Sequence, residues 1–533
     1  MEFQLADLFE ALTDDAPDAE VLVAGQVRHT RQILDRRANR LAHHLAGEGV
    51  TRGDRVAVYA YNRAEWVESL LACWKLGASA VNVNYRYVAD ELRHVLVDAS
   101  PAVLVYERGF AANLADVLDD VEELATLLVL EDGSPPDSPT PGVDYEEALA
   151  ESSEERGFAP RSGDDEYVLY TGGTTGLPKG VVWRHEDLYT NLARRLSAGQ
   201  RGTPASGIER PEDVVVMSEN PLGLRTLALA PLMHGGGQYP LVITMFNGGV
   251  TVVSTDRSFD AERVLTLVAD EDVTTLTIIG DAMGAPLAEA AASGEWAPDS
   301  LGVITTGGAV LSEDVRAALR EAFPGAVVTG GIGASEIGTA AYEAGAEGVE
   351  GPHFRLAADT AILDDALEPV PPGGVGRVAR RGAIPLRYHG DPEKSAENFP
   401  VDRHGTRWVV PGDIARVEDD GTFVLLGRGS QCINTGGEKV FPDEIENVLA
   451  GHPDVADVIV VGAPDPVWQQ RVVALVDPVE GASPTLTELQ AHCRKRLAGY
   501  KVPRGLVLGP LRRTEVGKPD YPWAEETARS ATP

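Results

Sequence analysis

Positive charge is what this 533-residue chain has least of: 46 basic residues stand against 82 acidic ones, a formal balance of −36, and only seven of the basic residues are lysines. So negative a chain lacks the basic footprint that phosphate backbones require, which argues against nucleic acid as a partner, and it would repel anionic membranes. Dense carboxylates with scarce lysine fit a halophilic cytoplasm, where salt screens the repulsion. Cysteine is almost as rare. Cys73, Cys432 and Cys493 lie far apart without CxxC spacing, so neither a disulfide framework nor a zinc site is expected, and a reducing cytosol is. No stretch approaches 18 uninterrupted apolar residues, and MEFQLADLFEALTDDAPD offers neither a basic n-region nor an apolar h-region. Membrane spanning and export by a signal peptide are thereby excluded as expectations, leaving a cytoplasmic enzyme or binding protein. The sequence does not specify oligomeric state; a homodimer is compatible with it.

What is present is ample apolar material, 43% of the chain, in a length that exceeds one ordinary core, so more than one domain is expected. From residue 54 strand-like and helix-like runs alternate: DRVAVYAYN, RAEWVESLLACWKLG, SAVNVNY, VADELRHVLVDA, AVLVY, TLLVL. The alternation resumes in VTVVS (250–254), VTTLTIIG (273–280), GVITT (302–306) and AVVTG (326–330), with helical stretches between them. This order predicts an α/β fold with parallel sheets covered by helices. Residues 133–166, rich in proline, serine and acid, read as a long exposed connection. Past about residue 428 the grain changes to that of a small α+β domain, which sets expected domains at 1–428 and 429–533.

One stretch is unusually bare. Residues 170–180, YTGGTTGLPKG, follow the apolar run EYVLY and hold four glycines, three threonines and a lysine. Such a turn offers backbone N–H groups, hydroxyl donors and a cation to phosphate. It is not a Walker A loop, because Pro178 precedes Lys179 and Gly180 follows it where Ser or Thr should stand.

The full string resembles the signature loop of the adenylate-forming enzymes: acyl-CoA synthetases, adenylation domains of peptide synthetases and luciferases. Three further stretches fall in that family's order: GIGASEIG (331–338), WVVPGD (408–413) and GRGSQCINTGGEKVFPDEIE (427–446), with a lysine near the carboxyl end in TEVGKPDYPW. NVNYRYVADELRHVL at 82–96 extends the resemblance toward the amino terminus. The resemblance implies a large AMP- and acyl-binding domain, a small mobile lid, and ATP, Mg2+ and coenzyme A as reactants. Thr171, Gly172, Gly173, Thr174, Thr175, Gly176 and Lys179 would hold the β- and γ-phosphates, and Glu336 with Thr175 would position Mg2+. Gly308, Ala309, Ile332, Gly333, Ala334 and Ser335 would lie along the nucleotide. Asp413 would take the ribose hydroxyls, helped by Arg428. Lys518 would meet the α-phosphate and carboxylate oxygens, where charge builds as the acid attacks phosphorus. Lys518, Glu336 and Thr175 are thus the expected catalytic set.

After adenylation the small domain of acyl-CoA synthetases rotates and presents its glycine loop to CoA. Gly436, Gly437 and Glu438 match that loop, and Ser430 stands at the hinge, where the family more often has Asp or Lys. Other departures are Ile332 for the adenine-facing aromatic, Ser335 for Thr, and Pro411 for the Thr before Gly412. APLMHGGGQY (230–239) and TTGGAV (305–310) match the acyl-pocket segments, so His234, Gly235 and Gly307 are expected there, with His234 gating a roomy pocket. The combination looks most like synthetases acting on steroid side-chain and other bulky or long-chain acids. The resemblance therefore implies an acid–CoA ligase, with a stand-alone adenylation enzyme loading a separate carrier protein as the alternative.

Overall fold

A computed structural model describes the chain except residues 1, 136–140, 172–176, 194–207, 220–222, 294–295, 297–298, 309–310, 344–352, 429–432, 513–519 and 531–533, and the side chains of 426–428, 443 and 447. The chain forms two compact units. Unit 1 comprises Met1–Tyr85, Leu96–Thr171 and Gly180–Leu426, and unit 2 comprises Arg86–Val95, Gly172–Lys179 and Gly427–Pro533.

Unit 1 carries the expected α/β pattern. Strands Arg55–Tyr59, Ser79–Asn82, Val103–Glu107 and Thr126–Leu130 form one parallel sheet. Strands Arg225–Ala228, Thr275–Ile278, Val303–Thr306 and Val327–Ala334 pair in parallel inside a second, larger sheet. Leu227, Leu276, Ile278, Ile304 and Val328 of these strands are buried, and helices with Asp260 and Ser312 as side-chain N-caps cross between them. Parallel order brings the carboxyl ends of these strands to one edge, where ligands bind in open α/β sheets. A third, small sheet joins Glu166–Thr171 to Lys179–Arg184 and Arg387–Tyr388.

The acidic connection departs from expectation. Within residues 133–166, Val143–Asp144 extends the first sheet and Tyr145–Ala150 forms a helix capped by Asp144. Tyr145 is buried and its hydroxyl donates to Glu68 at 2.9 Å, a carboxylate that also accepts from Arg37 at 2.7 Å. Surface composition disguised the segment because only one face of this short helix is apolar.

Unit 2 contains a five-stranded sheet centred on the antiparallel pair Val455–Asp465 and Gln469–Pro478, with Gly505–Leu508 added in parallel. Ile445, Leu449, Val458, Val460, Val476 and Leu489 fill its core. This is the α+β arrangement that the change of grain predicted.

Candidate active site

Glu336 occupies the middle of a hairpin loop in unit 1. Strands Val327–Ala334 and Gly338–Glu343 pair antiparallel with Ala334 opposite Gly338, leaving Ser335, Glu336 and Ile337 as a three-residue loop closed by Ile337 N–H to Ala334 C=O at 3.1 Å. Loops of this length commonly turn back through a left-handed residue, and Gly338 has φ +63°. Glycine is also needed there for space, since a Cβ would stand 2.2 Å from Asn191 Oδ1.

Every side of the loop is tied. The Ser335 carbonyl accepts from Trp183 Nε1 at 3.0 Å and from the Tyr239 hydroxyl at 2.7 Å. Fully buried Arg380 donates to Asn191 Oδ1 at 2.7 Å and to the carbonyls of Ile337 and Thr339 at 3.1 and 3.0 Å. The Glu336 carboxylate accepts from the Tyr388 hydroxyl at 3.1 Å, and that oxygen accepts from Asn398 Nδ2 at 2.9 Å. Burial holds the Tyr239 hydroxyl well above its ordinary pKa, with Tyr167 and Glu336 adding to the rise, so it remains a neutral donor. Preorganised hydrogen bonding of this kind fixes a carboxylate before any cation arrives.

The other unit 1 residues are placed by their own strands and helices. Thr171 is the last residue of strand Glu166–Thr171. His234 is the N-cap residue of helix Gly235–Phe246. A Cβ at Gly235 would touch Leu169 Cδ2 at 3.0 Å and Ser335 Oγ at 3.3 Å, so the helix start lies against both that strand and the hairpin. A Cβ at Gly237 would meet the Pro231 carbonyl at 2.5 Å, so this glycine permits close backbone packing. Open space lies instead at Gly307 and Gly308, where a Cβ would meet nothing within 4 Å among the described residues. These follow strand Val303–Thr306, whose Thr306 pairs with Gly330 just before Gly331 and Ile332. Ile332 is half-buried beside a register shift that continues into Gly333 and Ala334. Asp413, buried, heads strand Asp413–Val417, next to the strand that carries Arg380.

Within unit 2, Lys179 begins strand Lys179–Arg184, and the preceding Pro178 carbonyl is hydrogen-bonded by His94 Nε2 at 3.0 Å. Gly436 and Gly437, with φ +57° and +87°, form the two-residue turn between Ile433–Thr435 and Glu438–Val440. Two successive positive φ angles define the type I′ turn that hairpins favour, which accounts for both glycines. A Cβ on Gly436 would also strike the Trp468 ring at 2.6 Å. Glu438 pairs with Arg86, and Arg504 lies over the Trp468 ring, its guanidinium carbon 4.6 Å from the centroid. Gly172, Gly173, Thr174, Thr175, Gly176, Ala309, Ser430 and Lys518 lie outside the described residues, as does the Arg428 side chain.

Two family models match the chain. The family model for AMP-binding enzymes matches residues 9–387, and that for the AMP-binding enzyme C-terminal domain matches 444–518. The chain belongs to the AMP-binding enzyme family. Among curated members it is 42% identical to a medium/long-chain-fatty-acid–CoA/3-oxocholest-4-en-26-oate–CoA ligase of Mycobacterium marinum, covering 98% of this chain and 96% of that one. It is 39% identical to the 3-oxocholest-4-en-26-oate–CoA ligase of Rhodococcus rhodochrous, over 99% and 96% of the two chains. The fold of this AMP-binding enzyme matches the amide bond synthetase McbA of Marinactinospora thermotolerans with a TM-score of 0.79 at 25% identity, over 98% and 99% of the chains.

For Mg2+ the donor chemistry of unit 1 fits. Among the described residues no three His, Cys, Asp or Glu side chains cluster as a metal cage. The fixed Glu336 carboxylate suits a hard cation that takes most of its ligands from substrate phosphates and water. Sequence reasoning did not assign Trp183, Tyr239, Arg380 or Tyr388 to the site, although Tyr239 ends the APLMHGGGQY segment. Their one signal is polar atoms in otherwise apolar runs, as in VVWR and GQYPLV.

Proposed function

We propose that this AMP-binding enzyme activates a long-chain or bulky, steroid-like hydrophobic acid, and that the residues gathered around Glu336 perform the adenylation. The reading is carried by similarity to CoA ligases for such acids along nearly the whole chain. The enzyme is an ATP- and CoA-dependent acid–CoA ligase. A carboxylate oxygen attacks the α-phosphorus, the bond to the β-phosphate bridging oxygen breaks, and pyrophosphate leaves. The CoA thiol then attacks the acyl carbonyl, a C–S bond forms, its proton is lost, and AMP departs.

In this scheme Thr171, Lys179 and the residues between them neutralise the departing phosphates. Lys518 stabilises charge at the attacked phosphorus. Glu336 would hold Mg2+, which would supply Lewis-acid charge neutralisation to the triphosphate when bound. Asp413 offers two acceptor oxygens to the ribose diol. The acid lies against His234 and Gly235 and extends toward the open side of Gly307 and Gly308. Gly436 and Gly437 present bare backbone to the CoA arm.

The proposal extends to a high-salt cytoplasm. It is supported by the −36 balance, and among the described residues no helix is long and apolar enough to cross a membrane. The acid class is tested by measuring kcat/KM across straight-chain fatty acids and ring-bearing acids in molar KCl with ATP, Mg2+ and CoA. The expected result is highest kcat/KM for long-chain or steroid acids. A preference for acetate or amino acids refutes the assignment.

A further inference from the structure

Asn82 ends strand Ser79–Asn82, is 4% exposed, and uses all of its hydrogen-bonding hydrogens. Its Oδ1 accepts the Tyr170 N–H at 2.7 Å, and its Nδ2 donates to the Tyr170 carbonyl at 2.7 Å and to the Met233 carbonyl at 2.6 Å. Tyr170 immediately precedes Thr171; Met233 immediately precedes His234. One side-chain amide therefore joins the strand that leads to the phosphate-binding residues and the turn that leads to the acid-facing residues.

Both ends are held well enough to transmit a shift. The Tyr170 hydroxyl donates to Asp98 at 2.5 Å, and a Cβ at Gly180 would press on the Tyr170 ring at 2.9 Å. On the other side, Leu232 N–H donates to Asn62 Oδ1 at 2.8 Å and the Leu232 carbonyl accepts from Gln238 at 2.7 Å. A buried amide of this kind cannot be released piecemeal, because each abandoned partner would lie unsatisfied in the core.

We propose that Asn82 is a positioning residue that couples the nucleotide and acid sites, so that occupancy of one improves the geometry of the other. This rests on the assignment of Thr171 and Lys179 to phosphate and of His234 to the acid. It predicts a defect in linkage, which is reciprocal between two ligands.

The test measures KM for ATP at low and saturating acid, and KM for acid at low and saturating ATP, by acid-dependent ATP–pyrophosphate exchange. Asn82→Ala should raise both KM values roughly tenfold and abolish their mutual dependence, the scale of losing buried hydrogen bonds. Asn82→Gln, which keeps the amide, should restore part of the dependence. Lys179→Ala and His234→Ala serve as references and should each raise one KM preferentially. Lower thermal stability of Asn82→Ala with both KM values and their coupling intact overturns the proposal. If Asn82→Ala does not fold, the proposal is judged on Asn82→Gln and Asn82→Ser, and wild-type coupling in both overturns it. Should Lys179→Ala and His234→Ala leave both KM values unchanged, the site assignment itself fails and takes the coupling with it.

Discussion

The loop at Ser335–Ile337 in unit 1 and the turn at Gly436–Gly437 in unit 2 are both hairpin tips, built for opposite purposes. The first displays a carboxylate and surrounds it with donors: Trp183 and Tyr239 on the Ser335 carbonyl, Arg380 behind Ile337 and Thr339, Tyr388 on Glu336 itself. The second displays no functional side chain at its tip. Its two glycines take left-handed angles, Gly436 lies against the Trp468 ring, and the half-buried turn offers bare backbone and little bulk. In the proposed scheme the first, which would meet a charged triphosphate, is held rigid by hydrogen bonds, whereas the second would serve a slender chain by leaving side chains out.

Removing the charge at the first tip should have the largest effect. Glu336→Gln keeps the shape and the Tyr388 contact, yet is expected to slow adenylation by roughly 100-fold or more, the scale seen when one transition-state electrostatic group is lost. Pyrophosphate release reads it, with thermal unfolding nearly unchanged. A Gln variant that adenylates normally would leave the first hairpin a purely structural one.

Adding bulk at the second tip comes next. Gly436→Val forces a β-branched residue to positive φ and into Trp468, and should cut thioester formation from a supplied acyl-adenylate roughly 10- to 100-fold while sparing adenylation. Equal loss of both half-reactions would erase the contrast. Tyr388→Phe removes one donor from Glu336 and should lower adenylation about tenfold at most, seen in kcat with little change in the KM for acid.

The smallest effect is a pH dependence confined to unit 2. Lys501, buried, pairs with both Glu91 and Glu444, Nζ lying within 2.5 Å of Glu444 Oε1. Burial pushes Glu444 up to about 7, with Glu91 adding to the rise and Lys501 opposing it. A folded pKa above the unfolded value of 4.5 means the folded state keeps its proton longer, so unit 2 loses stability as pH rises from about 4.5 through about 7. Hydrogen exchange across helix Pro442–Ala450 should quicken over that range in wild type beyond the intrinsic pH trend, and less so in Glu444→Gln. By contrast, buried Lys75 in unit 1 serves Glu10 and Asp35 at 2.7 and 2.6 Å with Arg161 and Arg156 in support. Burial would raise Glu10, but Arg161 and Lys75 outweigh it and hold it at about 2, so that contribution is lost only as pH falls from about 4.5 toward 2.

The alternation of strands and helices was legible because parallel strands buried on both faces are continuous apolar runs, as in VLVY at 103–106. Glu336 and the Gly436–Gly437 turn were legible because motifs keep local spacing. The residues that hold them were not. Tyr388 reaches Glu336 across 52 positions and Trp183 reaches Ser335 across 152, and no local pattern marks a partner at that separation. Asn82 stood inside a recognised stretch, but its three bonds go to backbone atoms 88 and 151 positions away. The helix Tyr145–Ala150 was hidden for a simpler reason: it is only six residues long and sits in a stretch rich in proline, serine and acid.

The most direct test of the central claim is a single-turnover reaction of the full chain with a long-chain or steroid acid, ATP and Mg2+ in molar KCl, followed with and without CoA. The ligase assignment predicts pyrophosphate and enzyme-bound acyl-adenylate without CoA, and equimolar AMP and acyl-CoA once CoA is added. Acyl-adenylate that persists in the presence of CoA and transfers only to a carrier protein would contradict it.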